Sequence, residues 1–410
     1  MTKEERKKLQ DYLNYLLDTY EIGNSEDDFY SEEEDEWPDE FDIESIGLDF
    51  PYEYENPSYP IEEFMDCMSD IETLVEIDKT TVRTNHIRQT IIDSRYKEWE
   101  MFREKISSYK FEGPDYRVTI KMNPLLIGII NTKNGNYDED YGVGCCGNYV
   151  VLELKYDGDN RLSKEQEDDL LERITFYLTR ELDAAINISE VINLDELGDY
   201  YLDEEEIVDT TVNVDSLVGN SQLIKLYKQA KSTEDSEIKF LQYYKILEYI
   251  SPLVAKLNAY DKLNKRLDLL ASSTRDYKYL DTIFSVTRKY DLDVKDDYLA
   301  ESVIKTCMDV SPLWELIPER LQKQMKKTFL SGKSDICVDE LKEEQLGSLQ
   351  KQIAKMLYAT RNSIVHAKSN YEPIGYELEG DELINGNRMM DVVALSIIQW
   401  NERQPENFRI

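Results

Sequence analysis

Histidine is nearly absent from this chain: its 410 residues hold two, His86 and His366. A centre built from several histidines is therefore excluded, and imidazole acid–base chemistry near neutral pH has only two places to occur. Lysine and arginine are missing altogether from Glu21 to Asp66. Glycine (16) and proline (11) are sparse, which excludes collagen-like and low-complexity classes and leaves a globular composition. No apolar run of about 18 residues occurs, so no membrane span is expected. The start, Met1-Thr2-Lys3-Glu4-Glu5-Arg6, leads into a polar helical pattern without the apolar core of a signal peptide. Five cysteines, an odd number without a regular framework, fit reduced thiols, and a cytoplasmic location is expected. Cys145 and Cys146 are adjacent, but no second pair at metal-ligand spacing accompanies them, so they read as structural. No metal or cofactor motif is legible.

Charge is present in excess and unevenly. The formal net charge is -37. Residues 1–210 carry 20 Lys and Arg against 55 Asp and Glu, a balance of -35, whereas residues 211–410 carry 28 against 30. The first half repels nucleic acid and the second tolerates it. Two domains are expected, an acidic one over 1–210 and a second over 215–410. Within the first, residues 21–66 interleave carboxylates with Phe29, Tyr30, Trp37, Phe41, Phe50, Tyr52, Tyr54, Tyr59 and Phe64. Carboxylates at that density oppose compaction, which makes a loosely packed or flexible segment one reading. The other is a nucleic-acid mimic, carboxylates replacing phosphates and aromatics replacing bases, lying in a groove of its own protein or against a basic partner.

Periodicity predicts an α+β N-terminal domain, with a small antiparallel sheet plus helices, followed by an all-α helical bundle. Residues 3–20 show a helical stripe, residues 81–107 read helical, and 163–185 read as a helix capped by Ser163. Tyr116–Met122, Leu125–Asn131 and Tyr149–Tyr156 read as strands. Beyond residue 215 strand signals fade, and 220–231, 235–259, 261–289, 294–308, 312–330, 339–368 and 381–403 carry helical apolar spacing.

One segment concentrates chemistry: Lys355-Met356-Leu357-Tyr358-Ala359-Thr360-Arg361-Asn362-Ser363-Ile364-Val365-His366-Ala367-Lys368. A guanidinium that can hold a phosphate, a carboxamide and an imidazole fall within six residues, the minimum equipment for cleaving RNA without a metal. Leu346, Leu349, Ile353, Leu357 and Ile364 form the stripe expected to face the bundle core, while Lys355, Ala359, Asn362 and His366 share another face. Arg361 lies five residues before His366, about 140° around an ideal helix, so the two diverge unless the helix ends or distorts between them. A two-fold related copy would pool two arginines and two histidines in one cleft. His86, in Thr84-Asn85-His86-Ile87-Arg88, stands alone and reads as a surface or core histidine.

Arg361-Asn362-Ser363-Ile364-Val365-His366 resembles the Arg, polar residue, three residues, His motif of the HEPN superfamily, all-α bundles that include many metal-independent ribonucleases of prokaryotic antiviral and toxin systems. Phe240-Leu241-Gln242-Tyr243-Tyr244-Lys245-Ile246-Leu247-Glu248-Tyr249 looks like the first long helix of such domains. A closing helix, Asp391 to Trp400, follows the motif in the order that the resemblance requires. The resemblance covers roughly residues 215–410, and the stretch between 260 and 340 is longer than a minimal domain of that kind needs.

What the resemblance implies is an endoribonuclease effector acting as a homodimer. His366 would be general base or acid, Arg361 would neutralise charge on the scissile phosphate, and Asn362 would orient the imidazole or bind a phosphate oxygen. Lys355 and Lys368, joined by Lys323, Lys326 and Lys327 where folding brings them close, would hold the RNA backbone. Glu248 and Tyr244 are secondary candidates of more structural character. The N-terminal half would sense a phage-derived or cellular trigger and restrain the nuclease. The alternative is a non-catalytic acidic binding protein, a nucleic-acid mimic or regulator, whose helical half serves only dimerisation or docking. In that case Arg361 forms an ion pair, with Glu248 for instance, and Asn362 and His366 satisfy hydrogen bonds inside the bundle.

Overall fold

In the computed structural model every strand among the described residues precedes Val214, and the chain divides into two units, Met1–Leu217 and Val218–Ile410. The structure describes the chain apart from residues 1, 25–43, 54–55, 72, 75, 79, 94–104, 138, 141–143, 147–148, 190–208, 220–221, 271–276, 278–280, 282–295, 330–337 and 367–371. Most of the acidic segment's aromatic residues and the candidate Lys368 fall outside the described residues.

The N-terminal unit begins with α1 (Lys3–Tyr20), whose Thr2 and Glu5 form a reciprocal capping box that satisfies backbone donors at its start. Leu9, Leu13, Leu16 and Tyr20 bury one stripe of that helix. A three-stranded sheet follows, β1 (Gly23–Asn24), β2 (Ser45–Asp49) and β3 (Ser58–Pro60), leading into α2 (Ile61–Ile71). The larger, eight-stranded sheet is assembled from β4 (Glu76–Ile77), β5 (Thr81–Arg83), β6 (Ile87–Asp93), β7 (Tyr109–Glu112), β8 (Tyr116–Met122), β9 (Val150–Tyr156), β10 (Asn187–Ile188) and β11 (Thr210–Asn213). Its order is β11-β7-β8-β9-β6-β5-β4, with β10 also pairing β6, and every pairing is antiparallel except β11 with β7. The unit's remaining helices are α3 (Leu125–Asn134) and α4 (Lys164–Glu181).

The expected α+β unit followed by a helical unit is what the chain forms. Strands were correctly read at Tyr116–Met122 and 149–156, and Ser163 caps α4 through a capping box with Gln166. Two readings need correction. The spacing over residues 81–107 predicts helix, yet 81–83 and 87–93 form a hairpin in which Thr81 pairs Thr90 and Arg83 pairs Arg88. The reason is two-sided cover: one core lies under α1, α2 and α3 and takes Ile91 and Val151, the other lies under α4 and takes Ile92 and Val150. A strand buried on both faces loses the apolar–polar alternation that would announce it. Conversely, the apolar run Leu125–Asn131 predicts a strand and forms helix α3 instead, buried at every position from Leu125 to Asn131. Gly135, at φ 65°, closes that helix by donating to the Asn131 and Thr132 carbonyls, so its Asn-Gly pair is a helix cap rather than a hairpin turn.

The C-terminal unit contains α5 (Gln222–Lys231), α6 (Ser236–Leu270), α7 (Asp296–Cys307), α8 (Ser311–Trp314), α9 (Glu319–Phe329), α10 (Glu343–Val365) and α11 (Glu382–Glu402). Helix α6 packs against α5, α7 and α11, and α10 lies against α7, α9 and α6. Phe240, Ile246, Ile250, Leu349, Ile353, Leu357, Met389 and Val393 are fully buried between them. The expected break near residue 260 does not occur, because α6 runs unbroken for 35 residues and contains Pro252. Proline cannot donate to the carbonyl four residues back, that of Glu248. Ser251 Oγ donates to it instead at 2.9 Å, so the helix continues with the vacated acceptor satisfied.

Candidate active site

Helix α10 places the motif. Leu349, Ile353 and Leu357 are its buried stripe, as expected, while Leu346 and Ile364 at either end are only half-buried. Ala359 was expected on an outer face with Lys355, Asn362 and His366, but it is buried. The helix ends at Val365 and His366 is its C-cap, with its N–H donating to the Asn362 carbonyl at 2.9 Å. The termination that would free histidine from an ideal helical relation to Arg361 is thus present. His366 is exposed, and Asn362 and Arg361 are half-buried.

The Arg361 guanidinium bridges two helices. Its Nη2 lies 3.1 Å from Glu248 Oε1 on α6, and its Nη1 donates to Asn362 Oδ1 at 3.0 Å. The Glu248 side chain is 47% exposed and that of Arg361 27%, so this is a partly solvated pair rather than a sealed one. Pro252 and Ser251 act one turn beyond Glu248, on the same helix, which is how the sequence fixes the backbone at the carboxylate that meets Arg361. Tyr244, one turn before Glu248, is buried and stacks on Phe240 with ring centroids 6.5 Å apart, a packing role. Lys355 Nζ sits 4.0 Å from the Tyr376 ring centroid, a cation–π contact that occupies its ammonium.

Sequence reasoning passed over the residues that anchor this helix end. Thr360, fully buried, donates from Oγ1 to the Met356 carbonyl at 2.9 Å and accepts from the Leu378 N–H at 3.0 Å. Glu377, buried in the segment that follows α10, accepts from the N–H groups of Ile374, Gly375 and Tyr376 at 2.7–2.9 Å. Tyr376 Oη donates to Gln352 at 2.7 Å, and Arg320 of α9 donates to the Glu377 carbonyl and pairs with Glu382. The only sequence signal for this strap is the polar run Glu377 to Glu382, which carries no periodicity.

A helix C-terminus carries partial negative charge and disfavours an anion there. Attraction for a phosphate at this end must come from side chains. Of the five guanidinium N–H donors of Arg361, one meets Glu248 and one meets Asn362, leaving a further edge for an incoming oxyanion.

His86 lies in the β5–β6 turn with Nε2 3.8 Å from Asp70 Oδ1, and burial raises the Asp70 carboxyl above its ordinary range while His86 opposes that rise. Cys67, Cys145, Cys146 and Cys307 are buried free thiols; burial raises Cys145 to about 11 and Cys146 well above the ordinary value. Among the described residues no group of three or more His, Cys, Asp or Glu is placed to hold a metal ion, and no helix is long and apolar enough to cross a membrane. Compared with protein-family models, with curated proteins and with solved structures, the chain matches none.

Proposed function

We propose that the C-terminal unit is a metal-independent endoribonuclease whose reacting groups are His366 and Arg361, with Asn362 in support. The observation that carries this reading is the position of the three side chains. They gather at the C-terminal end of one helix, His366 exposed as its C-cap and the half-buried Arg361 and Asn362 joined by a 3.0 Å hydrogen bond one turn before it. In the reaction, the His366 imidazole takes the proton of a ribose 2′-OH and O2′ attacks the adjacent phosphorus. The P–O5′ bond breaks, the leaving O5′ receives a proton, and a 2′,3′-cyclic phosphate and a 5′-hydroxyl remain. Arg361 faces the charge that gathers on the non-bridging oxygens, where a fixed fork of donors acts best. Glu248 holds the guanidinium in place, and DNA, lacking the 2′-OH, is not a substrate.

Proton removal and proton delivery use two imidazoles when a second copy of the chain brings its own α10 to the site, so the active form is a homodimer. We place the protein in the cytoplasm as an effector of a prokaryotic antiviral defence or toxin system. Its N-terminal unit, in the half with a balance of -35, keeps RNA away until a phage-derived or cellular trigger is sensed. The test is expression of wild type, Arg361→Ala and His366→Ala at equal protein level, with host growth and RNA integrity followed together. RNA cleavage in wild type, lost in both variants, is the expected result, and replacing the carboxylates of residues 25–43 by amides should raise it. Intact RNA with wild type and with that amide variant overturns the reading.

One observation favours a second function, that of a non-catalytic acidic binding protein: the Arg361–Glu248 pair is the contact that a purely structural arginine would make. In that case all three proteins leave RNA intact, and Arg361→Ala loosens the bundle without any loss of activity.

A further inference from the structure

Helix α9 (Glu319–Phe329) carries four basic residues, Arg320, Lys323, Lys326 and Lys327, against one acidic residue, Glu319, in a chain whose carboxylates outnumber its bases 85 to 48. The helix is amphipathic: Leu321 and Met325 are fully buried one turn apart, and Lys323 and Lys327, also one turn apart, are exposed on the other side. Arg320 is committed to Glu382 and to the Glu377 carbonyl, and it ties α9 to the segment that anchors α10 through Thr360. Lys326 Nζ lies 5.7 Å from the Trp314 ring centroid, which holds its ammonium over an indole face. Lys323 makes a single exposed pair with Glu319, with side chains 69% and 79% accessible, a contact weak enough to be exchanged for a phosphate. The helix packs directly on α10, which bears the candidate active site.

We infer that the outward face of α9 is an RNA-backbone binding surface, with the exposed Lys323 and Lys327 meeting phosphates. The inference rests on the ribonuclease reading for its choice of RNA, and it makes a claim of its own: affinity comes from this face, not from Arg361 or His366. Two exposed ammonium groups one turn apart on one helix face, in a unit of nearly balanced charge, suit a polyanion recognised through phosphate spacing without base readout. Elsewhere in the unit Lys265 and Lys305 pair with Asp261 and Glu301 on their own helices, and Lys231 and Arg361 pair across helices with Asp391 and Glu248.

The experiment uses the full chain with His366→Ala to prevent turnover, and a fluorescein-labelled unstructured RNA of about 20 nucleotides, titrated over a series of salt concentrations. Lys323→Glu with Lys327→Glu should weaken binding at least about tenfold and reduce the log–log salt slope by about 1.4, two contacts at roughly 0.7 each for single strands. Lys265→Glu with Lys305→Glu makes the same change in net charge elsewhere in the unit and should weaken binding far less. Equal losses in the two pairs, an unchanged slope in the α9 pair, or no RNA binding by the full chain overturns the inference. The milder Lys323→Gln with Lys327→Gln, expected to give an intermediate loss, separates a lost surface from a failure to fold. If cleavage survives Arg361→Ala and His366→Ala while the α9 pair still loses binding, the active-site reading falls and the surface stands.

Discussion

The two units place their charges in opposite ways. In the N-terminal unit, Glu167 is wholly buried and its carboxylate receives Arg83 at 3.0 Å, Arg88 at 3.1 Å and the Tyr156 hydroxyl at 2.6 Å. Glu153 is buried on the other side of the same sheet and accepts from Gln89 at 2.7 Å. In the C-terminal unit Lys265–Asp261, Lys305–Glu301 and Lys323–Glu319 are local pairs, and the pairs that join helices, Arg361–Glu248 and Arg320–Glu382, are partly exposed; Lys231, which reaches Asp391 at 3.1 Å, is more deeply buried. Buried ionic groups demand partners from several elements at once, and so tie strands β5, β6 and β9 to helix α4. Partly exposed pairs in the helical unit contribute less, because solvent screens them.

That contrast predicts effects of very different size. The largest is chemical: on the proposed ribonuclease function, His366→Ala should lower RNA cleavage about 10²–10⁴-fold, the usual weight of a general acid–base group. The same variant should leave the thermal unfolding midpoint unchanged, because the side chain is exposed. Next comes Glu167→Ala, which takes the carboxylate from Arg83 and leaves Arg88 with Asp168 alone, and should cost about 3–5 kcal/mol of stability, read by urea denaturation and by hydrogen exchange along β6 and β9. An effect below about 1 kcal/mol would erase the distinction between buried and surface charge drawn here.

Smaller effects sharpen the comparison. Thr360→Val leaves the buried Leu378 N–H without its acceptor and should cost about 1–3 kcal/mol. Hydrogen exchange at Leu378 should quicken selectively, and unaltered protection there would remove Thr360 as the anchor of the α10 end. The smallest effect concerns pH. Burial raises the Glu153 carboxyl above its ordinary value of 4.5, with Glu63 adding to the rise and Lys121 opposing it. A carboxyl whose folded value is raised favours the folded state while protonated, and that contribution falls as pH rises above the unfolded value. Glu153→Gln keeps an acceptor for Gln89 and cannot ionise, so its stability advantage over wild type should widen from about pH 4.5 upwards. A constant difference across pH would show that Glu153 is not penalised by burial.

Legibility followed burial geometry. Helices covered on one side, such as α1 and α10, displayed their stripes: Leu9, Leu13 and Leu16 in one, Leu349, Ile353 and Leu357 in the other. Elements covered on all sides mislead: α3 lacks the polar face that would give a helical period its contrast, and β6 turns Arg88, Gln89 and Thr90 inward beside Ile91 and Ile92, so its polar residues do not mark a solvent face. The capping residues Thr2 and Ser163 act within three residues of sequence, and Ser163 was readable in advance for that reason.

By itself, then, the amino-acid sequence determined the acidic α+β half, the helical half and the Arg361, Asn362 and His366 motif, all of them properties of composition or of spacing within one segment. Only the tertiary structure decided that Glu248 meets Arg361 across 113 positions of chain, that Thr360 and Glu377 secure the helix that ends at His366, and that Lys355 is occupied by Tyr376. Each of those contacts joins residues that no local period connects; they meet because burying the apolar stripes of α6 and α10 fixes where the polar edges of those helices fall.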